Sequence, residues 1–440
     1  MPKVKLCIFG GGSGYTHHML STFVKYVACG DLAGSVISLY DLDEENARLM
    51  ADFGNSIAQA KKLDFKMEVA GTLESGLEGA NFVLSSFRVG GLDQRYLDET
   101  IPLKYGILGQ ETSGVGGVFM IARNAAAAVK LATTMDKVCP DGILINYTNP
   151  TGMISDLTSR VSKVKTFGLC DGVVGVKELV GCCLLEVPWQ EAMKIEAYVA
   201  GVNHCTWAMS LYYQGKDLYP LLPELLNQSK EKSNDWGYVH KDACRLYHYY
   251  GLLPGSLYYT RYYYTVPKVI KEFSGEGYEH RSLNLKKQVA LIRAHIKSQI
   301  GKPDADFLPA SFEHAAHGDQ AIGTLHALAC DTRKMDIVNV KNHGIICNLP
   351  DEAVVEVPGI LGRHGVLPLN MGPLPDSVVG VVQAVDLHCR LAVTAALTGD
   401  KKLLMQSAMA HPSNIDFDQM ELCLEEMFHA NRDWLPQFKF

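Results

Sequence analysis

The sequence predicts an α/β fold, in which a Rossmann-type parallel sheet domain is followed by a mixed α+β domain. Three observations lead to this prediction. Short apolar runs alternate with helical patterns over the first half of the chain. A glycine-rich loop joins the first apolar run to the first helical pattern. After about residue 195 the pattern changes to longer helices and an aromatic stretch. We therefore expect one domain over residues 1–195 and a second over residues 196–440.

The individual elements follow from hydrophobic periodicity. Apolar runs with β-branched residues predict strands covered on both faces, as in a parallel sheet, whereas apolar residues at helical spacing predict packed helices. The predicted strands cover residues 4–9, 36–40, 82–84, 143–146, 196–200 and 207–213, and the main predicted helices cover residues 15–29, 44–62, 119–138 and 378–397.

Composition excludes several classes of protein. Hydrophobic residues make up 47% of the chain and charged residues 20%, which is typical of a folded domain and not of a disordered one. The net charge of −7, with no run of like charges, argues against a nucleic-acid partner. We find no export signal and no stretch of about 20 apolar residues, so we expect no membrane partner and a cytoplasmic location. The twelve cysteines lack a disulfide-like spacing, which fits reduced thiols in that compartment.

The glycine-rich loop predicts a dinucleotide site. It lies directly between the first strand and the first helix, where small residues let the backbone approach a pyrophosphate at the helix N-terminus. The third glycine of the strict pattern is replaced by Tyr15. Acidic residues end the second strand, and an acidic residue there favours NAD over its 2′-phosphorylated relative. The residues expected to bind the cofactor are Gly10, Gly12, Ser13, Gly14, Asp41 and Asp43.

Three further segments carry reactive side chains. They are the polar glycine-rich loop 109–117, the segment 168–172 with Cys170, and the segment 201–204 with His204. A cysteine and a histidine together suit a divalent metal and leave coordination positions open. Because these two residues are 34 positions apart in sequence, the spacing alone favours a buried cysteine and a hydrogen-bonded histidine over a metal site.

Taken together, these motifs resemble glycoside hydrolase family four, or a close sister family such as the NAD-dependent sulfoquinovosidases. The resemblance extends from residue 3 to about residue 430 in the same order. The motifs that carry it are Gly-Gly-Gly-Ser followed by Tyr15-Thr16, Arg88-Val89-Gly90-Gly91, Gly109-Gln110-Glu111-Thr112, Asn149-Pro150, Cys170-Asp171, Gly201-x-Asn203-His204, Val354-Val355-Glu356-Val357-Pro358 and Leu374-Pro375.

The resemblance implies a fold like that of lactate and malate dehydrogenases, bound NAD, and a divalent metal that is usually manganese. It also implies that glycosides are cleaved by oxidation at C3, removal of the C2 proton, elimination, water addition and re-reduction. This family is an exception to the two-carboxylate mechanism of most glycosidases. Members commonly form homodimers or homotetramers, which we expect here as well.

The same resemblance assigns roles to individual residues. Cys170 and His204 match the metal ligands of the family. Asp171 matches the residue that acts as general acid in members cleaving α-linked 6-phosphoglucosides. Tyr259, within the aromatic stretch 258–264, matches the base that removes the C2 proton. A nearby cation suits that role because it lowers the pKa of a tyrosine.

The substrate expected from the resemblance is a small α-glucoside with an anionic group at C6. Arginines offer the forked donors that phosphate or sulfonate oxygens accept. Two departures from the family pattern, Gly172-Val173 and Tyr278-Glu279-His280 before Arg281, leave phosphate and sulfonate both open. A sugar or hydroxy-acid dehydrogenase with net redox turnover, and an NAD-sensing module, are the alternatives from other classes. The residues expected to contact substrate are Arg88, Arg95, Glu111, Asn149, Asn203 and Arg281.

Overall fold

The computed structural model describes residues 3–229, 236–308, 315–413 and 416–439. Within these ranges the strands belong to one mixed sheet. They are β1 Lys5–Phe9, β2 Ser35–Tyr40, β3 Phe65–Val69, β4 Phe82–Ser85, β5 Ile143–Asn146, β6 Lys165–Gly168, β7 Glu196–Val202, β8 Cys205–Tyr213, β9 Lys216–Asp217, β10 Leu253–Pro254, β11 Met335–Lys341, β12 Val354–Gly362 and β13 Gly365–Pro368.

Helices cover the sheet and connect its strands. Those in the described ranges are α1 Gly14–Ala28, α2 Glu44–Ala60, α3 Leu73–Leu77, α4 Gly91–Thr100, α5 Gly114–Val138, α6 Thr151–Val161, α7 Val174–Glu178, α8 Trp189–Ala192, α9 Leu222–Gln228, α10 Tyr238–Tyr250, α11 Leu257–Tyr264, α12 Val266–Phe273, α13 Arg281–Gln299, α14 Ala315–Cys330, α15 Asp376–Thr398, α16 Lys401–Ala410 and α17 Phe417–Asn431.

The first six strands form a parallel sheet in the order β3-β2-β1-β4-β5-β6. This is the strand order of the Rossmann fold, and it reverses direction between β1 and β4. Ligands of such sheets bind outside the carboxyl ends of the strands at that reversal, which is where the glycine-rich loop leaves β1. The predicted Rossmann-type sheet is therefore confirmed.

The antiparallel strands β11, β12, β7, β8 and β10 continue the sheet beyond β6. The two parts join where Asn339 of β11 pairs with Gly168 of β6. The boundary expected near residue 195 falls just before β7, between the parallel and antiparallel parts of one sheet. The division into two domains remains a prediction, since the strands on both sides of it are hydrogen-bonded into a continuous structure.

The sequence pattern predicts the elements with the strongest apolar periodicity and misses many others, including the 19-residue helix α13 and the 9-residue strand β12. It does not predict β3, an edge strand in which the exposed Lys66 interrupts the buried residues Phe65 and Met67. It also starts the fifth helix at Phe119, five residues too late. The first turns of α5 are rich in glycine, which has a low helix propensity and hides the pattern.

Two helices, α5 and α15, have the length and hydropathy of a membrane span. In α5, 78% of the most apolar window is buried inside the fold, and the helix also carries the buried Arg123 and Asn124. In α15 the corresponding share is 44%, and the helix packs against α5, α6 and α16. Core helices of globular proteins commonly have these properties.

Candidate active site

The loop after β1 packs tightly against the segment that follows β4. Gly10 has φ +93°, and a Cβ there would lie 2.2 Å from the carbonyl oxygen of Ser86, so only glycine fits. Ser13 is the N-cap of α1 and accepts a hydrogen bond from the Tyr15 N–H at 3.3 Å. The N-terminus of α1 thus has the arrangement of a phosphate-binding turn. The roles of Gly10, Gly12, Ser13 and Gly14 in binding a cofactor remain predictions.

The two acidic residues at the end of β2 have different environments. Asp41 is half-buried and accepts hydrogen bonds from the N–H groups of Gly12 and Asp43, both at 2.9 Å. Asp43 is exposed and caps α2 by accepting from the Asn46 N–H at 3.1 Å. Asp41 therefore lies against the glycine-rich loop, as a ribose-binding carboxylate does in this fold, whereas Asp43 has a structural role in starting α2.

His204 lies in the tight turn between β7 and β8. Val202 pairs with Cys205, so Asn203 and His204 form a two-residue hairpin loop. His204 has φ +67°, a left-handed conformation that glycine or asparagine usually adopts in such turns. A strained backbone at a chemically active side chain is common at functional sites. The turn aims the imidazole at the segment that follows β6.

Cys170 and His204 come together in the fold. The Sγ atom of Cys170 lies 3.4 Å from Nε2 of His204, and both residues are buried. Burial lowers the pKa of His204 to about 3, so its ring is neutral. Burial, followed by the nearby carboxylates of Glu356 and Asp171, raises the pKa of Cys170 well above its usual range. The pair is therefore a thiol beside a neutral imidazole, and a cation placed between them would favour the thiolate.

The donor set fits a metal ion with open coordination positions. Thiolate sulfur and neutral imidazole nitrogen are good ligands for divalent transition metals. Among the described residues, no group of three or more His, Cys, Asp and Glu side chains forms a metal site. The protein would therefore supply Cys170 and His204, and the other positions would be left for water or substrate oxygens.

Tyr259 covers the face of the His204 ring. The two rings are parallel within 4°, and their centroids are 3.5 Å apart. Burial raises the pKa of Tyr259 well above its usual range, and Cys170 and Asp171 add to this effect, while Arg281 opposes it. Tyr259 thus needs a nearby cation before it acts as a base, and the Cys170–His204 pair is where a cation would lie.

Two arginines, Arg88 just before α4 and Arg95 within it, surround a buried glutamate. Arg88 pairs with Glu111, and Arg95 donates to Glu111 at 2.8 Å and to Glu99 at 2.7 Å. Burial alone would raise the pKa of Glu111, but Arg88 and Arg95 outweigh it and hold that pKa below its usual range. Arg281 is close enough to lower the same pKa further, and it is exposed at the first position of α13.

Glu356 connects the hairpin turn to the middle of the sheet. Its Oε1 accepts hydrogen bonds from the side-chain amides of Asn203 and Asn339, both at 3.0 Å. Its carboxyl also accepts from the backbone N–H of His204. Burial raises the pKa of Glu356 to about 7. This line of side chains crosses β7, β12 and β11 and ends beside Gly168, just before Cys170.

Most of the predicted site residues converge on one region. Asp171 follows Cys170 and is half-buried. Asn149 precedes α6, and its side-chain oxygen accepts from the Thr151 hydroxyl at 3.1 Å. Electrostatic coupling links Tyr259 to both Asp171 and Arg281, so these groups are neighbours. Arg95 differs from the others, because the structure buries it and engages it with Glu99 and Glu111. Which of these residues contacts substrate remains a prediction.

Two residues of the site, Thr112 and Glu356, belong to motifs of the sequence but were assigned no role from it. The hydroxyl of Thr112 lies 3.1 Å from Nδ1 of His204, and Glu356 binds the turn that carries His204. A signal for Glu356 was available, because a charged residue inside the apolar run 354–358 must have a buried partner. Thr112 offered no such signal, since its neighbour is 92 positions away in sequence.

Comparisons with known proteins find relatives that match almost the whole chain. A probable 6-phospho-beta-glucosidase of Bacillus subtilis is 28% identical over 99% of this chain and 98% of its own length. A maltose-6'-phosphate glucosidase of the same organism is 26% identical over 98% and 96%. The structure of a 6-phospho-beta glucosidase of Thermotoga maritima, containing NAD and glucose-6-phosphate, is 26% identical with a TM-score of 0.83, over 98% of this chain and 99% of that one.

The fold is shared more widely. A lactate dehydrogenase of Eimeria maxima is 15% identical with a TM-score of 0.57, over 91% of this chain and 96% of that one. The predicted likeness to that class of fold is confirmed. The model of the family 4 glycosyl hydrolases matches residues 5–186, and the model of their C-terminal domain matches residues 199–413. With both parts matched in order along one chain, this protein belongs to family 4 of the glycosyl hydrolases.

Proposed function

We propose that this chain hydrolyses glucosides carrying phosphate at C6, using bound NAD and a divalent metal. The observation that carries the proposal is the buried Cys170–His204 pair, stacked under Tyr259 and close to the Arg88–Glu111–Arg281 cluster. Under this proposal the Cys170–His204 pair holds the metal, Tyr259 is the base, and the arginines recognise the anionic group of the substrate.

The cofactor proposal is supported from two sides. The loop after β1 leads into the N-terminus of α1, where backbone N–H groups suit a pyrophosphate, and Asp41 at the end of β2 accepts a hydrogen bond from Gly12 of that loop. Solved relatives contain NAD together with manganese and glucose-6-phosphate. A 6-phospho-alpha-glucosidase that shares the fold, with a TM-score of 0.87 at 22% identity, contains NAD and Mn2+. Manganese is therefore our first choice of metal.

When bound, NAD and the metal supply reversible oxidation at C3 of the sugar and stabilisation of the negative charge that follows. In its deprotonated form Tyr259 is the base, and its phenolate oxygen accepts the proton from C2. The carboxyl of Asp171 donates a proton to the leaving oxygen at C1. Tyr259 lies flat on the His204 ring, so the base is held at a fixed distance from the Cys170–His204 pair.

Phosphate is proposed at C6 because the named relatives act on 6-phosphoglucosides. Arg281 is the exposed cation of the cluster, since Arg88 and Arg95 are both paired with Glu111. Asp171 after Cys170 supports the α-anomer, following the resemblance described above. The relatives include glucosidases for both anomers, and an alpha-galacturonidase is 28% identical over 99% of this chain. The panel of substrates therefore has to vary both the anomer and the C6 group.

The test is release of an aryl group from α- and β-glucosides that carry a 6-hydroxyl, 6-phosphate, 6-sulfonate or C6 carboxylate. Each is assayed with and without NAD and Mn2+. We expect release from the 6-phosphate that requires NAD and leaves no net NADH. Preference for the 6-sulfonate would make the chain a sulfoquinovosidase. Accumulation of NADH without aryl release would overturn the hydrolase proposal in favour of a dehydrogenase. We expect the enzyme to act in the cytoplasm as a homodimer or homotetramer.

A further inference from the structure

We propose that Thr112 is a positioning residue that fixes the tautomer of His204 and thereby turns its Nε2 lone pair toward the metal position. This inference rests on the proposed function, because it assumes a metal between Cys170 and His204. The evidence is a buried hydrogen-bond chain from Gln110 through Thr112 to His204.

The orientation of Gln110 sets the direction of the chain. Its Oε1 lies 2.6 Å from the backbone nitrogen of Thr112 and 2.7 Å from that of Ser113. Backbone N–H groups only donate, so the atom facing them has to be the amide oxygen. The choice between oxygen and nitrogen of this amide is thereby made by the backbone of its own loop.

The orientation of Gln110 then determines where the hydroxyl proton of Thr112 points. Its Oγ1 lies 2.9 Å from the same Oε1 of Gln110. Two oxygens at that distance attract only if a proton lies between them, and the amide oxygen has none. Thr112 therefore donates to Gln110, and it presents a lone pair to Nδ1 of His204 at 3.1 Å.

The ring proton of His204 follows from this. Because the Thr112 oxygen accepts at this contact, Nδ1 carries the N–H and donates it. A neutral imidazole has one N–H, so Nε2 keeps its lone pair. Nε2 is the atom that faces Sγ of Cys170 at 3.4 Å. A metal-binding histidine is commonly oriented in this way by a partner on its other nitrogen.

Residues 110–112 contact both the arginines near α4 and the ring of His204. Glu111, between Gln110 and Thr112, pairs with Arg88 and Arg95. One short turn therefore holds the arginine cluster on one side and the histidine tautomer on the other. Tyr259 fixes the plane of the His204 ring, and Thr112 fixes its rotation within that plane.

The test compares Thr112→Val with Thr112→Ser. Valine keeps the shape and removes the acceptor, whereas serine keeps the hydroxyl. We expect Mn2+ binding to the NAD-loaded protein, measured by isothermal titration calorimetry, to weaken roughly 10- to 100-fold in T112V and to return near wild type in T112S. The intensity of the thiolate-to-Co2+ absorption band at a fixed Co2+ concentration should likewise fall in T112V and return near wild type in T112S. Thr324→Val is the matched control, because Thr324 is buried on α14 and its hydroxyl has no hydrogen-bond partner among the described residues.

A second measurement addresses the wild-type protein without metal. The ring 13C and 15N shifts of His204, assigned by comparison with His204→Gln, report the tautomer directly. The Nδ1–H form supports the inference, and the Nε2–H form overturns it, whether or not T112V folds. Unchanged Mn2+ affinity in a folded T112V would also overturn it. If wild type with NAD binds neither Mn2+ nor Co2+, the proposed function fails, and the tautomer is still measured independently.

Discussion

At the scale of single residues, the site depends on two metal-binding side chains that are both neutral before a metal binds: a protonated thiol and an imidazole with one N–H. The Cys170 thiol has a raised pKa and the His204 imidazole a lowered one, and burial is the main cause of both. Neither group is charged in such a state, which limits the cost of burying them. A divalent cation changes this balance, because it stabilises the thiolate and binds the free imidazole nitrogen.

The first prediction concerns the sulfur ligand. Cys170→Ser replaces a thiol with a hydroxyl of much higher pKa, which is a poor ligand for manganese at neutral pH. We expect Mn2+ affinity to fall at least tenfold, and activity with it, while NAD affinity measured by fluorescence quenching stays within about twofold. Cys423→Ser, also buried but on α17 and away from the site, tests whether any buried cysteine would have the same effect. Loss of NAD binding in C170S would contradict the ligand assignment.

The sequence predicted the identities at this scale better than the contacts. Cys170, His204 and Tyr259 were named from motif resemblance, and the fold brings both Cys170 and Tyr259 into contact with His204. The hydroxyl of Thr112 and the carboxyl of Glu356 could not be given roles in the same way. Their contacts depend on how the loop 109–117 and strand β12 lie in space, which spacing along the chain does not encode.

At the scale of elements, the β7–β8 turn is held from behind by β12. Glu356 accepts from Asn203, from Asn339 and from the His204 backbone, and this offsets the strain of a positive φ in a residue with a side chain. Such conformations cost on the order of 1–3 kcal/mol and persist where the surroundings fix them. The turn is therefore held rigid by the sheet.

The second prediction tests that support. Glu356→Gln puts an amide N–H group where the carboxyl accepts, so one buried donor loses its partner. We expect the free energy of unfolding to fall by about 1–3 kcal/mol, measured by urea denaturation. Glu68→Gln, the same change on the more exposed edge strand β3, should cost less than about 0.5 kcal/mol. Equal effects of the two changes would argue against a special role of Glu356.

The third prediction concerns the N-terminus of α13. Arg281→Ala removes the exposed cation of the Arg88–Glu111–Arg281 cluster, and a charge-assisted hydrogen bond is worth about 1.5–3 kcal/mol. We expect kcat/KM for the 6-phosphate substrate to fall roughly 10- to 100-fold, with little change for the 6-hydroxyl substrate. Lys297→Ala, exposed in the last turn of the same helix, is the control for general charge effects. An equal fall in kcat/KM for both substrates would show that Arg281 does not recognise the C6 group.

Elements were predicted where their pattern was strong. Four of the six parallel strands (β1, β2, β4 and β5) and the first two helices follow from apolar periodicity, and their observed bounds differ from the predicted ones by at most two residues. The edge strand β3 and the glycine-rich start of α5 were not predicted, because polar residues in β3 and glycines in α5 weaken the apolar periodicity. The joint between β6 and β11 was not predictable, since it pairs residues from opposite halves of the chain.

At the scale of the whole molecule, buried histidines make stability depend on pH. Burial lowers the pKa of His17 to about 3 and that of His388 to about 4. The unfolded chain binds protons at these residues below pH 6.5, while the folded chain does not. Their contribution is therefore fully present above about pH 6.5, and it is lost as pH falls toward the folded pKa values.

The fourth prediction isolates one of these groups. His17 is fully buried on α1, stacked against Phe53, and its ring nitrogens have no hydrogen-bond partner among the described residues. A shift of this kind costs about 2 kcal/mol at pH 5. His17→Leu should therefore show a smaller drop in thermal midpoint between pH 7 and pH 5 than wild type. His364→Gln, at an exposed position, is the control. If the thermal midpoint of H17L falls between pH 7 and pH 5 as much as that of wild type, His17 is not a cause of the acid sensitivity.

The continuous sheet also determines when the site assembles during synthesis on the ribosome. Cys170 follows β6 and His204 follows β7, and in the sheet these strands are separated by β11 and β12. The two donors can meet in the native arrangement only after residues up to 362 have been made and have inserted between strands translated much earlier. A nascent chain that exposes only one half has no complete metal site. Under the proposed assignment of Cys170 and His204, metal therefore binds only after β11 and β12 have inserted between β6 and β7.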